Sequence, residues 1–318
     1  MRFPSVSLAA ALSFGLAACA VETPPETAAA PASELMKWPD LLTRERPQPS
    51  ATIRYGDDQM QVVDLWLPGG PGPHPTVLMV HGGCWQTEIA DRRIMNWIAE
   101  DLRRRGIAVW NIDYRGVDRH GGGYPGTFLD VAAAADALKT HAGPHNLDIS
   151  PLVAIGHSAG GHLALWLAAR HSRKARPDNL LIPRRSPILA ADPVRISTAI
   201  SLGGLQDLEL AAIPPGSGCG IEVVERLVGP PTLSSRHVYA DTSLPNLLPL
   251  GVPQVLINGL QDRIIPTLFA TDYEAKARAK GERVKVRTID RTGHVELIAP
   301  ESAAWAAAVE EIDKALHR

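Results

Sequence analysis

The sequence GHSAG occupies residues 156–160, between a short apolar run at 152–155 and a helix-like run at 162–170. A G-x-S-x-G motif placed between a strand and a helix is typical of the nucleophile elbow of serine hydrolases. The motif needs glycines at its ends because the serine takes a strained backbone conformation where strand and helix approach each other. We therefore predict that Ser158 is an exposed nucleophile and that the backbone N–H of Ala159 faces a developing oxyanion.

A second glycine-rich stretch, HGGCW, occupies residues 81–85 and follows the apolar run at 77–80. We name residues 81–85 the HGG loop. Glycines leave backbone N–H groups free to face a ligand, so this loop is a candidate for the oxyanion hole of the same site. We expect the N–H groups of Gly83 and Cys84 to be the donors, and Trp85 to form a wall of the substrate pocket.

Two loops later in the chain carry a candidate acid and a candidate base. Asp262 follows the apolar run at 255–259, and His294 follows the alternating run at 284–289. In a serine hydrolase the histidine takes the proton of the serine, and the aspartate fixes the tautomer of the histidine. Asp207 competes for the role of acid, but Asp262 lies in the last loop before the histidine and is favoured. Two further acids, Asp241 and Glu296, are weaker alternatives.

Taken together, these motifs resemble those of an α/β-hydrolase from the branch that holds esterases, feruloyl-esterase-like proteins and kynurenine formamidases. The resemblance rests on HGGCW at 81–85, NIDYRG at 111–116, GHSAGGHLA at 156–164, GLQDRIIP at 259–266 and GHVELI at 293–298. It implies a catalytic triad of Ser158, Asp262 and His294, with oxyanion positions at Gly83, Cys84 and Ala159. It also implies that residues 113–115 brace the site. Cys84 departs from the glycine or aromatic residue often found after HGG.

Strand-like and helix-like runs alternate along most of the chain. This pattern predicts an α/β fold with a mainly parallel sheet, helices on both faces and a ligand site at the carboxyl ends of the strands. We assign the catalytic domain to residues 37–318 and predict an early antiparallel hairpin around residues 62–70. Inserts at 172–194 and 207–250 interrupt the alternation. They suit a small lid over the pocket, although surface loops without substrate contact are the alternative.

The composition narrows the class of protein. The chain has 318 residues, 45% of them hydrophobic, which is enough for one large core. Its formal net charge of -2 gives no electrostatic reason to expect nucleic-acid binding. The pattern of His, Cys, Asp and Glu residues indicates no metal site, and the predicted chemistry requires no cofactor.

The N-terminus has the pattern of an export signal. A short apolar stretch at 6–18 ends in Leu-Ala-Ala-Cys, which resembles the bacterial lipobox whose cysteine becomes lipidated. Residues 1–19 are therefore predicted to be a lipoprotein-type signal segment with Cys19 as the lipid attachment site, and residues 20–36 a flexible tether. A plain secretory peptide is the alternative. We expect an envelope protein held by its lipid anchor to the outer membrane and facing the periplasm.

Two further cysteines remain, Cys84 and Cys219. An oxidising compartment would allow them to pair, but a cysteine in the HGG loop is more often a small buried packing residue. The sequence favours the packing role and leaves pairing open.

The sequence indicates a class of reaction but does not identify the substrate. Esters, thioesters, formamides and peptides are all cleaved through a tetrahedral oxyanion and an acyl-enzyme. We predict a carboxylic-ester hydrolase for small acyl or aryl esters. An arylformamidase is the alternative, and a tethered binding protein that has lost catalysis is a third possibility.

Overall fold

The computed structural model describes residues 34–172, 186–189, 192–232 and 237–317. The predicted signal segment at 1–19, the tether up to residue 33 and much of the 172–194 insert lie outside these residues. Within the described part, no helix is long and apolar enough to cross a membrane.

The described residues alternate between strands and helices, as the sequence predicts. The strands are β1 (Ala51–Arg54), β2 (Val62–Trp66), β3 (His74–Val80), β4 (Ala108–Ile112), β5 (Leu147–His157), β6 (Thr198–Leu202), β7 (Gln254–Gly259) and β8 (Val284–Ile289). The α-helices are α1 (Trp38–Leu42), α2 (Asn96–Arg104), α3 (Gly126–Asp136), α4 (Leu138–His141), α5 (Ala159–Ser172), α6 (Leu208–Ala211), α7 (Ile221–Val228), α8 (Leu244–Leu247), α9 (Leu268–Ala279) and α10 (Ala303–Leu316). Short 3₁₀ helices cover Arg92–Met95 and Glu296–Ile298.

The strands form one sheet in the order β1-β2-β4-β3-β5-β6-β7-β8. From β4 to β8 every neighbouring pair is parallel, whereas β1 pairs with β2, and β2 with β4, in antiparallel fashion. The predicted α/β fold is confirmed. The predicted hairpin is displaced, because β2 turns back on β1 through residues 55–61 and does not pair with the strand that follows it.

A hydrophobic core covers each face of the sheet. Along β3 the buried side chains alternate: Leu78 and Val80 join the core under α3, α5 and α9, while Val77 and Met79 join the core under α1, α2 and α10. This alternation follows from the two-residue period of a strand. Cores on both faces hold the sheet in place, and the loops at its carboxyl edge lie on this fixed base.

Candidate active site

Ser158 lies at the sharp turn between β5 and α5, with a φ of 54°. This left-handed conformation is uncommon for a residue other than glycine and costs on the order of 1 kcal/mol or more, so the surroundings must hold it. The Ser158 N–H donates to the Leu202 carbonyl on β6 at 2.8 Å. Gly160 packs against the carbonyls of Val80 and His81, where a Cβ atom has no room. The glycines of the motif therefore allow the strand and the helix to approach each other closely.

The HGG loop packs directly on this turn. A Cβ atom on Gly82 would lie 3.0 Å from the Cβ of Ser158 and 2.8 Å from Nδ1 of His157. The close contact leaves Ser158 only 2% exposed. The expectation of an exposed serine is therefore wrong, because the glycine that admits the loop also lets it cover the side chain.

The backbone of the HGG loop has an unusual run of conformations. Gly83, Cys84 and Trp85 have φ values of 108°, 51° and 54°. Across the described residues, the N–H groups of Gly83 and Cys84 donate to no protein acceptor. Cys84 and Trp85 lie in a turn, and in turns the N–H groups of successive residues can face one concave side, as in anion-binding nests. These two groups, next to Ser158, can therefore receive an oxyanion.

A buried polar network holds the start of the HGG loop. His81 contacts an Asp113 carboxylate oxygen through Nε2 at 2.9 Å, and its ring stacks on Tyr114 at 4.3 Å between centroids. The Tyr114 hydroxyl donates to the His81 carbonyl at 2.9 Å. Arg92 donates to the other Asp113 oxygen at 2.9 Å. Asp113 and Tyr114, two of the three residues that the resemblance implied as a brace, thus contact the loop itself, whereas Arg115 pairs with Asp130 at 2.7 Å.

Asp262 and His294 are hydrogen-bonded to each other. Nδ1 of His294 lies 2.7 Å from Oδ2 of Asp262, and both side chains are buried. Because a carboxylate only accepts, this contact places the proton on Nδ1 and leaves Nε2 as the basic nitrogen. The other Asp262 oxygen accepts from the N–H groups of Ile264 and Ile265 at 2.8 and 2.9 Å. The aspartate is therefore fixed on both sides.

His157, the residue before Ser158, connects this pair to the turn. Its ring lies 4.4 Å from the His294 ring, and its Nε2 donates to the His294 carbonyl at 3.1 Å. Full burial and the nearby His294 hold the pKa of His157 well below its usual value. His157 is therefore a neutral support that places His294 beside the turn without opposing a positive charge on it.

The competing acids have other partners. Asp207 caps α6 by accepting from two backbone N–H groups and pairs with Lys276 at 2.6 Å. Asp241 accepts from the hydroxyls of Tyr124 and Ser186. Neither makes the contact with His294 that Asp262 makes, so the structure assigns these two acids to the scaffold.

Two residues of the HGG loop have roles that differ from those favoured by the sequence. Trp85 is fully buried, and its ring lies edge-on to His162 at 5.7 Å. A pocket wall must offer surface to a ligand, so Trp85 supports the loop from behind instead of lining the pocket. Cys84 forms a disulfide with Cys219, in the 207–250 insert. The packing role favoured by the sequence is therefore incomplete, because Cys84 also joins distant parts of the chain.

The structure adds residues 34–42, the N-terminal segment, to the site. The half-buried Trp38 lies edge-on to the rings of His157 and His294, each at 6.3 Å. Glu296 anchors this segment, because one of its oxygens accepts from the Met36 N–H at 2.5 Å and the other from the Gly293 N–H at 3.0 Å. The sequence placed residues 34–36 in a tether, and only the Trp-Pro pair that starts a helix at residue 38 could have signalled a folded segment.

Esterases are among the known proteins that are similar to this chain in sequence or structure. The BD-FAE family model matches residues 63–276, more than half of the chain. The pimeloyl-[acyl-carrier protein] methyl ester esterase of Neisseria meningitidis serogroup A / serotype 4A is 26% identical over 249 residues, covering 71% of this chain and 73% of that protein.

Solved structures agree at the level of the fold. Esterase B from Lactobacillus rhamnosis (HN001) has a TM-score of 0.68 at 17% identity, covering 86% of this chain and 87% of that one. The thermophilic esterase Est2 from Thermogutta terrifontis has a TM-score of 0.62 at 20% identity, covering 85% of this chain and 92% of that one. The protein is a hydrolase of the esterase type, and its chain belongs to the BD-FAE family of α/β-hydrolases.

Proposed function

We propose that this enzyme cleaves carboxylic esters of small acyl or aryl groups with a triad of Ser158, His294 and Asp262, through an acyl-enzyme. The observation that carries the proposal is the 2.7 Å contact between His294 and Asp262 beside a serine in a left-handed turn. A hydroxyl needs a neighbouring base to attack at neutral pH, and a base of this kind needs a fixed tautomer.

In the first half of the reaction, Oγ of Ser158 attacks the ester carbonyl while Nε2 of His294 takes the hydroxyl proton. The carbonyl oxygen becomes an oxyanion, which accepts hydrogen bonds from the N–H groups of Gly83, Cys84 and Ala159. Asp262 stabilises the imidazolium that forms. The oxyanion then re-forms the carbonyl, the bond to the alcohol breaks, and His294 gives its proton to the leaving oxygen.

In the second half, water replaces the alcohol. His294 takes a proton from water, the hydroxide attacks the acyl-enzyme carbonyl, and the same N–H groups receive the second oxyanion. The collapse of this intermediate releases the acid and returns the proton to Ser158. Because His157 stays neutral beside His294, no second positive charge opposes the imidazolium in either half.

Two observations support small esters as substrates. Ser158 is almost covered by the HGG loop, which favours slender acyl groups. The half-buried indole of Trp38 lies beside His294, where it offers an aromatic surface to the substrate. In addition, the Neisseria relative is named a methyl ester esterase. Methanol, the alcohol released from a methyl ester, is a small leaving group.

The test is turnover of p-nitrophenyl esters of increasing acyl length by the purified enzyme. We expect hydrolysis of the acetate and butyrate, and a fall in kcat of about 10⁴-fold or more in Ser158→Ala. Ser50→Ala, which removes an exposed hydroxyl that accepts from the Leu67 N–H, is the control and keeps full activity.

Labelling and a second substrate sharpen this test. A fluorophosphonate probe should modify Ser158 and no other serine. N-formylkynurenine, included in the same panel, measures the arylformamidase alternative. A folded protein that hydrolyses no short-chain ester and takes up no probe would contradict the proposal.

We also propose that the enzyme is an exported lipoprotein attached through Cys19 and facing the periplasm. The disulfide between Cys84 and Cys219 supports an oxidising compartment, since such bonds are rare in reducing ones. Metabolic labelling with a radioactive fatty acid should mark the wild type and not Cys19→Ser. Equal labelling of both would exclude Cys19 as the attachment site.

A further inference from the structure

The disulfide joins two loops that are far apart in the sequence. Cys84 lies in the HGG loop, and Cys219, 135 residues later, lies just before α7 with 8% of its surface exposed. We name residues 216–220 the crosslink segment. The bond attaches this segment to the stretch of the HGG loop whose backbone is left-handed and whose N–H groups have no protein acceptor among the described residues.

The crosslink segment also packs on the loop that carries Asp262. The Gly218 N–H donates to the Ile264 carbonyl at 2.7 Å, and a Cβ atom on Gly218 would lie 2.9 Å from the Cα of Ile264. Ile264 in turn donates its N–H to Asp262. A continuous series of contacts thus connects the sulfur of Cys84 with the carboxylate of Asp262.

Among the described residues, the hydrogen bonds between the HGG loop and distant parts of the chain lie at its two ends. His81 is held by Asp113 and Tyr114, and the Trp85 carbonyl accepts from the Val117 N–H at 2.7 Å. Between these points, Gly82 packs on the turn at Ser158, and within the described residues the side chain of Cys84 is the bonded link to the insert. Oxyanion donors are effective only when they lie about 2.7–3.1 Å from the position that the oxyanion takes, so this middle part needs an attachment of its own.

We propose that the Cys84–Cys219 disulfide is a positioning crosslink, which holds the Cys84 N–H in its oxyanion-binding direction and fixes it relative to Asp262. This inference rests on the oxyanion role proposed above. The sulfur atoms take no part in the reaction. Because the oxyanion exists in the transition state and not in the bound ester, the crosslink acts on kcat and hardly on KM.

The first experiment compares Cys84→Ala, Cys219→Ala and the double variant. All three keep the backbone N–H at position 84 and lack the same covalent bond. We expect each to lower kcat for p-nitrophenyl acetate by about 10- to 100-fold, with KM within about twofold, and the double variant to match the single ones. Additive losses, a loss confined to Cys84→Ala, or an unchanged kcat would overturn the proposal.

The second experiment reduces the bond in the folded wild type. Dithiothreitol donates two electrons, the S–S bond breaks to two thiols, and the reagent is left as its cyclic disulfide. Mass spectrometry after alkylation verifies the reduction. We expect kcat to fall to the level of Cys219→Ala, while the double variant does not respond to the reagent.

Two measurements separate positioning from folding and from the proposed function. Circular dichroism checks that each protein is folded, and rates are divided by the number of sites that fluorophosphonate titrates. Unfolding of all variants and of the reduced wild type would overturn the proposal, because the bond would then serve stability alone. A wild type without esterase activity or probe labelling would instead count against the function itself.

Discussion

The HGG loop and the two loops that carry Asp262 and His294 are held in place by different means. The HGG loop is fixed mainly by side chains: a buried polar network at His81 and a disulfide at Cys84. The other two loops are fixed to each other by hydrogen bonds, because the Gln261 N–H donates to the Thr292 carbonyl at 3.0 Å and the side-chain oxygen of Gln261 accepts from the Thr292 N–H at 3.1 Å.

The difference follows from what each loop presents. Asp262 and His294 present side chains, which orient each other through their own 2.7 Å contact. The HGG loop presents backbone N–H groups, which cannot rotate independently and are directed only by holding the chain itself. The proposed oxyanion side of the site therefore depends more on distant residues than the proposed acid–base side does.

The acid–base side gives the largest expected effect. Asp262→Asn should lower kcat by about 10⁴-fold, because the amide no longer selects the tautomer of His294 or stabilises its positive charge. Asp207→Asn is the matched control: it weakens the cap of α6 and the pair with Lys276 and lowers the free energy of unfolding, but keeps kcat. Steady-state kinetics of the two variants test which aspartate orients His294. A larger kcat loss in Asp207→Asn would assign that role to Asp207.

Acid should destabilise the support of the HGG loop. His162 contacts Trp85, donates to the Thr242 carbonyl and has a pKa lowered by burial to about 4. Between pH 6.5 and 4 the unfolded chain binds a proton that the folded protein does not, so the free energy of unfolding decreases as pH falls through this range, by about 3 kcal/mol for this group. The buried His157 acts in the same direction.

Urea unfolding at several pH values measures this effect. His162→Gln keeps a donor for the Thr242 carbonyl and removes the titrating group, so its free energy of unfolding should depend less on pH than that of the wild type. An unchanged slope in the variant would assign the acid sensitivity to other groups.

The polar network of the HGG loop gives a smaller effect on catalysis. Asp113→Asn removes one of the two carboxylates that pair with Arg92, the other being Asp64, and loosens His81, so kcat should fall by about tenfold with KM almost unchanged. Asp136→Asn is the matched control, because it breaks an ion pair with the buried Arg170 between α3 and α5, away from the loop. It should cost similar stability in thermal unfolding and leave kcat intact. Equal kcat losses in the two variants would contradict a specific role in catalysis for the polar network at His81.

Trp38 gives the smallest effect, on substrate preference. Trp38→Ala removes an aromatic contact worth about 1 kcal/mol, so KM for an aryl ester should rise about fivefold while KM for a small alkyl ester changes little. Trp97→Ala removes a buried indole from α2, where its ring N–H donates to the Glu45 carbonyl, and should lower stability without changing this ratio. The ratio of the two KM values is the quantity to compare.

The parts of the fold and site that the sequence predicts well are those set by neighbouring residues. The apolar run at 152–155 followed by GHSAG becomes the end of β5 and the turn at Ser158 because strand, turn and helix signals are all local. The histidine in the loop after β8 and the aspartate after β7 follow from the order of strands in a parallel sheet.

The features that sequence reasoning missed or left open depend on contacts across the chain. No local pattern pairs Cys84 with Cys219, because pairing depends on where an irregular insert returns to the sheet. Trp85 and Trp38 are both tryptophans near glycine- or proline-containing turns, and only the packing decides that the first is buried and the second borders the site. The burial of Ser158 is likewise set by the HGG loop, which approaches from 75 residues earlier.

The bond between Glu296 and the Met36 N–H has a practical consequence for where the chain can be shortened. A protein that starts at residue 34 keeps that bond and retains the indole of Trp38 beside the ring of His294. One that starts after α1 would leave a nearly buried carboxylate with a single partner and open the flank of the imidazole to water. The shortest protein that keeps the site intact is therefore set by the contacts of Met36 and Trp38 with the site as well as by the hydrophobic core.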